Sequence, residues 1–460
     1  IDEYVPDTGN KHVDLLMEKS ALKAKVSDAT IILLSLPDNI ENESNLIFAL
    51  AFAKFIKKRF NPIIVIGGEA LWLDLFRERG GLDFVVYLIY GEGEIPLTEL
   101  LNHLVYAKQL NSSIELAITD RGKVLFFTGG HSPIKPDFSG LPLDNYRSGN
   151  ETLPYPQELE DVMVKFQASK TLILPYRFMR GCPFECIFCV SSAKKLQDVL
   201  QPEEVVLHLA SLQQEFNPSG FFFLSDTINI SKRYINSLCD EIMSKRVKIM
   251  WSDCARVDNL DRDTLFKMRQ AGCIRLIFGM ETASTSLLKY VNKNIDLGQL
   301  ENVLRWSDEA GIWTGIEVIC GLPHEQQEDI GSTINFLNKN TLLINRIYLN
   351  HFDLRQNTRL YNTPAQYGIR RIFEVNQYAE KDFISYVRFG FDEENGLLWK
   401  DKAKQIEYSL RQVQESCVKG NKYFTDEHFL FFLYGYLADK KKINAIYQKI
   451  LKQQVSMERK

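Results

Sequence analysis

The sequence predicts an α/β protein built from two strand–helix blocks and a mainly helical tail. Three observations carry this. Apolar runs of strand length alternate with amphipathic stretches across residues 1–130, and again across residues 171–360. Between them, residues 131–170 hold His-Ser-Pro, Lys-Pro, Leu-Pro and Leu-Pro-Tyr-Pro in a polar setting, which reads as an interdomain linker. From 361 to 460 the pattern is mainly helical. Continuous apolar strands separated by helices predict parallel sheet covered on both faces.

Bulk properties fit this division. A chain of 460 residues has room for two or three domains. With 45% hydrophobic and 25% charged residues it has the balance of a soluble globular protein. No apolar run reaches the length of a membrane span, and no signal peptide is evident. A net charge of −4 without an arginine-rich tract gives no footprint for nucleic acid. Eight cysteines, three clustered and five scattered, do not form a secreted disulfide framework. Cytoplasm is the expected compartment, with no membrane or nucleic-acid partner.

The first block, 1–130, reads as a doubly wound domain. Strands are expected at 29–35, 62–68 and 83–88, with an amphipathic helix at 46–60. Ligands of such sheets bind outside the carboxyl ends of the strands, where Ser35 and the pair Gly67-Gly68 fall. A plain tight turn is the simpler reading of that glycine pair. The chain opens on Ile1-Asp2, which looks like a strand end, so the domain's first segment is expected upstream.

In the second block, strands are expected at 171–176, 220–225, 248–254, 274–279, 314–320 and 346–352. Helices are expected at 202–216, 232–244, 260–271, 285–291, 297–310 and 325–339. In the tail, helices are expected at 374–382 and 402–418, with one or two more across 427–453. The tail holds one cysteine, Cys417, and so no auxiliary cluster. A small helical cap over the mouth of the second block is the simplest reading of it.

The most informative motif follows the first strand of the second block. Cys182, Cys186 and Cys189 spell CxxxCxxC. Three thiolates this close can converge on one metal centre, and there are three rather than four. Iron–sulfur sites usually take four cysteines and closed zinc sites four ligands. A cubane held by three keeps one iron open to a small molecule. The plainer readings are a zinc knuckle with a distant fourth ligand, or three buried thiols. The absence of a second CxxC pair beside Cys186-Ile-Phe-Cys189 disfavours zinc.

This segment resembles the radical S-adenosylmethionine (SAM) superfamily, whose CxxxCxxC loop binds a [4Fe-4S] cluster. The resemblance implies that the open iron chelates SAM, and that an electron from the cluster cleaves SAM to a 5′-deoxyadenosyl radical. It also implies that the six βα units form a partial (β/α)6 barrel, with chemistry at the carboxyl ends of the strands. Phe188 matches the position that packs on adenine. Ser225 and Asp226 match contacts to the methionine amino group, although Asp226 also reads as a helix N-cap. Arg256 suits a bidentate pair with the SAM carboxylate, against an ordinary ion pair with Asp258 or Asp261. Glu281, in Gly-x-Glu-Thr, matches the acid that reaches the ribose or amino group. Gly321 and Pro323, in Gly-Leu-Pro-x-Glu, shape the adenine pocket, while Glu325 starts a helix.

The first block is similar to the Rossmann-like domain of the cobalamin-binding subfamily. Ser35, Ile66-Gly67-Gly68 and Gly91-Glu-Gly-Glu94 carry that likeness and imply cobalamin at Ser35, Gly67 and Gly68. One motif departs from it. The DxHxxG histidine motif is absent, because Asn10-Lys-His12 lacks the aspartate and Leu15 replaces the glycine. The resemblance implies a radical SAM enzyme that modifies, most often methylates, an unactivated carbon of a natural product or ribosomal peptide. An external flavodoxin- or ferredoxin-type electron donor would serve it. The alternative is a cobalamin-independent epimerase, cyclase or rearrangement enzyme that docks its substrate or a leader peptide on the first domain. A scaffold that uses its cluster structurally is a third reading. No catalytic residue is assigned: Cys254 and Cys320 are candidate hydrogen-atom donors, and His324 and His351 candidate acid–base groups. Cys239 and Cys273 read as core.

Overall fold

A computed structural model describes residues 29–35, 42–68, 87–90, 93–110, 114–119, 122–127, 135–148, 155–193, 195–196, 198–375, 389–417 and 427–458. The readings for Asn10, His12, Leu15 and Gly91, the strand start at 83–86 and the helix span 376–382 lie outside the described residues. The chain divides into two compact units, Ile1–Ser132 and Pro133–Lys460.

In the first unit, strands β1 (Ile31–Ser35), β2 (Ile63–Gly68), β3 (Tyr87–Tyr90), β4 (Ile114–Thr119) and β5 (Gly122–Phe127) form one sheet of order β1-β2-β3-β5-β4. The pairs β1·β2, β2·β3 and β3·β5 are parallel. Consecutive residues Ile64, Val65 and Ile66 are all buried, as a strand covered on both faces requires. Helices α1 (Asn42–Phe60) and α2 (Glu94–Tyr106) supply crossovers. The antiparallel edge pair β4·β5 was not expected. Only two residues join these strands, and so short a connection allows only a hairpin.

In the second unit, β6 (Ile173–Tyr176), β7 (Gly220–Phe223), β8 (Trp251–Ala255), β9 (Cys273–Glu281), β10 (Trp313–Cys320) and β11 (Arg346–His351) form a six-stranded sheet in chain order. Every neighbouring pair is parallel. The inner face curls. Arg275 on β9 donates to Ser252 Oγ of β8 and Tyr348 Oη of β11, and its guanidinium lies over Phe222 of β7. This is the open, partial form of a (β/α) barrel. Helices α3 (Glu160–Ser169), α4 (Pro202–Phe216), α5 (Lys232–Ser244), α6 (Arg262–Gln270), α7 (Thr285–Tyr290), α8 (Leu297–Ala310) and α9 (Gln327–Lys339) belong to this unit. The starts of α5 to α8 are fixed by Ser231, Asp261, Ser284 and Asp296, each accepting a backbone N–H one turn on.

Three expectations are corrected. The stretch 131–170 is more than a linker, because it contains α3. The buried Met163 and Phe166 of α3 pack against the tail, with the Phe166 and Phe429 rings 5.0 Å apart. The tail is not wholly helical, because β12 (Ile369–Glu374) and β13 (Phe389–Glu393) pair antiparallel, so Glu374 ends a strand rather than starting a helix. Nor does the whole tail cap the mouth. Helices α10 (Trp399–Cys417), α11 (Glu427–Leu437) and α12 (Lys440–Glu458) divide between the two ends of the barrel.

Helix α10 reaches the β10 exit loop, where Lys402 Nζ donates to the Leu322 carbonyl at 2.7 Å. Helices α11 and α12 cover the floor. Phe431 lies where a Cβ on Gly220, the first residue of β7, would stand, and Glu427 pairs with Arg275 at 2.8 Å. Asn444 meets Asn345 just before β11. Among the described residues, no helix is long and apolar enough to cross a membrane.

Candidate functional site

The three cysteines lie on the loop that leaves β6 at the carboxyl end of the barrel. Cys186 is buried, and Cys182 and Cys189 are partly so. Backbone bonds hold this loop. Ile187 N–H donates to Val291 O, Leu360 N–H to Ile187 O, and Ser192 Oγ reaches both Cys186 O and Cys189 O at 2.7 Å. Gly181 has φ +73° and faces the Lys195 carbonyl so closely that no Cβ fits. Only glycine suits that turn. Burial pushes the Cys182 thiol up to about 11 and raises that of Cys189, and neighbouring thiols add to both shifts.

Among the described residues, no three Cys, His or carboxylate groups converge as they would on a single ion. Three thiols, one buried and two half-buried, on a hydrogen-bonded loop fit a cubane, whose ligands are spread over the width of the cluster.

Two predicted residues close on this loop from β7. Asp226 is exposed and accepts from Ser191 Oγ in the cysteine loop. It is not the helix cap, a role that Ser231 fills. Ser225 is buried, and its N–H donates to Asp253 Oδ1 at 3.3 Å. Ser225 Oγ and Asp253 Oδ2 are buried, and the Ser225 hydroxyl lies beside the Asp253 carboxyl without a well-aligned hydrogen bond to satisfy either atom among the described residues. Burial pushes the Asp253 carboxyl well above the carboxylate range. Unsatisfied polar atoms at strand ends beside the cluster loop are what a polar cofactor would satisfy.

Phe188 is half-buried and packs against a buried cluster that includes Ile187 of the cysteine loop, Val291, Leu322 and Phe352. Gly321 has φ +93°, and Ile406 of α10 occupies the space of its missing Cβ. Its glycine is thus required by α10 packing. Pro323 is buried beside it. Glu325 does not start α9, whose cap is Gln326. It is buried, accepts Gly321 N–H at 2.9 Å, and burial pushes its carboxyl up to about 7. His324 ties the same loop to Tyr367 O at 2.9 Å, and its backbone N–H donates to Glu393. Burial lowers the pKa of His351.

Arg256 and Glu281 are engaged differently from expectation. Arg256 Nε donates to Asp258 Oδ2 at 2.7 Å and Nη2 to Lys293 O at 2.7 Å, so its fork is not open to a carboxylate. The ordinary ion pair is the one formed. Glu281 is 4% exposed and pairs with Lys293 Nζ at 2.7 Å. A Cβ on Gly279 would lie 2.7 Å from both partners, which explains Gly-x-Glu: the glycine makes room for the pair. Glu281 itself has φ +67°, a left-handed conformation that costs a non-glycine residue about 1–3 kcal/mol.

Sequence reasoning missed Lys293, Asp253 and Glu317. Lys293 follows α7 in a polar turn, where nothing in the sequence distinguishes it. The other two are acids within apolar strands, a visible signal. Glu317 has no hydrogen-bond or ion-pair partner among the described residues, and Cys254 lies within its field. Burial first, then the Glu281 charge, pushes its carboxyl up to about 7, against the pull of Lys293.

Between pH 4.5 and 7 the native state therefore holds a proton that the unfolded state has lost, so stability falls as pH rises through that window. Glu317→Gln is expected to leave thermal stability unchanged in acid and to raise it by up to roughly 3 kcal/mol above pH 7, since each tenfold change in proton affinity is worth about 1.4 kcal/mol. Calorimetry at both pH values checks this; equal gains at both would refute it.

In the first unit, Ser35 pairs with Gly67 and Gly68 with Tyr90, so all sit at the carboxyl edge of the parallel strands. A Cβ on Gly67 would meet Ile89 only at ordinary contact distance, and one on Gly93, the cap of α2, would meet nothing. Packing among the described residues does not demand glycine at Gly67 or Gly93.

Comparison with known proteins agrees with this geometry. Residues 176–337 match the radical SAM superfamily. The chain is 28% identical over 291 residues to an uncharacterised methyltransferase of Pyrococcus horikoshii, covering 61% of this chain and 58% of that protein. It is 27% identical over 299 residues to the anaerobic magnesium-protoporphyrin IX monomethyl ester cyclase of Rubrivivax gelatinosus, covering 60% and 49%. The chain thus spans about half the length of these curated relatives.

Among solved structures, the radical SAM methyltransferase TsrM from Kitasatospora setae, with cobalamin and a [4Fe-4S] cluster bound, superposes with a TM-score of 0.63 at 14% identity. The match covers 96% of this chain and 92% of that one. OxsB, a cobalamin-dependent SAM radical enzyme, gives 0.57 at 14% identity, covering 96% and 74%. At such identity the likeness is one of fold. Residues 176–337 thus carry a radical SAM domain, and the chain has the fold of solved cobalamin-dependent radical SAM enzymes.

Proposed function

We propose that this chain is a cobalamin-dependent radical SAM enzyme that methylates an unactivated carbon of a natural-product or ribosomal-peptide substrate. The observation that carries this reading is the union, in one chain, of a CxxxCxxC loop at the first barrel strand with a parallel sheet whose carboxyl edge presents Ser35, Gly67 and Gly68. When bound, the cluster and SAM supply a 5′-deoxyadenosyl radical, and cobalamin a transferable methyl group. The protein's own share is positioning. Cys182, Cys186 and Cys189 would hold the cluster. Ser225, Asp226 and Asp253 would present polar atoms to SAM, and Phe188 with the backbone of Gly321 and Pro323 would border its adenine. A flavodoxin- or ferredoxin-type donor supplies electrons.

The test is anaerobic purification with hydroxocobalamin, followed by assay for corrin absorbance, S-adenosylhomocysteine and 5′-deoxyadenosine with SAM and reductant. Loading without either product would overturn the proposal. Gly68→Phe is expected to abolish corrin uptake while iron and sulfide stay at the wild-type level, read by absorbance and metal analysis. Full corrin in that variant would place the cobalamin elsewhere.

A second reading is a cobalamin-independent cyclase or rearrangement enzyme. The likeness to the Rubrivivax gelatinosus cyclase favours the cyclisation part of this reading. Turnover by protein that stays free of corrin would select it.

A further inference from the structure

We propose that Arg256 donates a hydrogen bond to the sulfur of Cys186 and thereby raises the reduction potential of the cluster held by this loop. This rests on the iron–sulfur reading above. The contact is drawn directly: Arg256 Nη1 lies 3.5 Å from Cys186 Sγ. The guanidinium is fixed on every other side. Nε goes to Asp258, Nη2 to the Lys293 carbonyl, and the plane lies 4.0 Å from the centroid of the Phe184 ring. Phe184 itself belongs to the cysteine loop, so the loop and the arginine position each other.

The backbone is fixed as well. Arg256 N–H donates to Asn229 Oδ1 at 2.9 Å and Thr227 Oγ1 at 3.2 Å, and its carbonyl accepts from Asn229 Nδ2 at 2.8 Å. Asn229 is fully buried. A side chain with this many restraints, two strands away from the cysteines, is built to point.

The three sulfurs are not equivalent. Cys182 takes a backbone N–H from Phe184, and Cys189 takes those of Ser191 and Ser192. Cys186 takes a charged donor in a buried setting, where such bonds are strongest. Lys293 adds a second positive charge within the field of Cys186. Reduction adds negative charge to a cluster and its thiolates, so donors and cations beside a ligand sulfur favour the reduced form. Arginine keeps its charge at every accessible pH, so the effect does not titrate away.

The test is a redox titration of anaerobically reconstituted protein, followed by electron paramagnetic resonance of the reduced cluster. Arg256→Gln is expected to keep full iron and sulfide and to shift the midpoint to more negative potential. Arg256→Lys, which retains charge without the fork, should shift it less. A fully loaded Gln variant with an unchanged midpoint overturns the proposal, because a merely structural arginine would not move the potential. Where the variants take up no iron, wild-type protein labelled with ¹⁵N-arginine decides: pulsed measurements should show an arginine nitrogen coupled to the reduced cluster, and its absence overturns the assignment. Wild-type protein that binds no iron and sulfide would instead fail the iron–sulfur reading itself.

Discussion

Replacing Cys182, Cys186 and Cys189 together with alanine is expected to abolish the iron–sulfur chromophore and reductive SAM cleavage, and to leave the barrel folded. Much of what holds the loop is independent of the thiols: backbone bonds from Ile187 to Val291 and from Leu360 to Ile187, and the Ser192 hydroxyl to two loop carbonyls. None of them uses a thiol. Cys186 is buried, so its truncation costs stability, on the scale of about 1 kcal/mol usual for point changes. The barrel's core of Leu174, Phe221, Trp251, Leu276 and Ile316 is untouched. Circular dichroism should therefore overlay on wild type while iron, sulfide and 5′-deoxyadenosine production fall to background. Retained iron and SAM cleavage in the triple variant would remove the basis of the assignment.

The barrel was legible because its strands and helices announce themselves locally. The helices expected at 202–216, 232–244 and 297–310 match α4, α5 and α8 end to end, each with a capping residue at its start. The hairpin β12·β13 was not legible. Its pairing joins residues across a long intervening segment, and Arg370, Arg371 and Glu374 give it no continuous apolar run. Helix α3 was hidden by the prolines around it, which mark turns but do not say where turns end.

The site divides the same way. Cys182, Cys186 and Cys189 are a contiguous spacing, and spacing is visible in sequence. The partners of Arg256 and Glu281 are not. Lys293 joins both, through its carbonyl and its ammonium, and it comes from a turn after a different helix. An arginine at a strand end looks the same in sequence whether it meets a substrate carboxylate or a cysteine sulfur.

Glu281→Ala is expected to lower the unfolding free energy by about 3–5 kcal/mol, the usual cost of removing one partner from a buried ion pair. Lys293 is 8% exposed and would be left with its ammonium inside the barrel, beside the Arg256 guanidinium that its own carbonyl holds. Partial relief comes from Glu317. Without the Glu281 charge its carboxyl ionises more readily and can answer Lys293, so the measured loss should sit at the lower end of the range and grow when Glu317→Gln is added. The double variant Glu281→Leu with Lys293→Met removes both charges and should recover most of the lost stability, because a buried pair replaced by apolar groups is often neutral. Chemical denaturation of the four proteins reads these differences. SAM affinity, measured by equilibrium binding to cluster-loaded protein, separates the two roles of Glu281. Weak SAM binding in both the single and the restored double variant means the carboxylate itself meets SAM; wild-type affinity in the double variant would confine Glu281 to holding Lys293 and overturn its place in the SAM site.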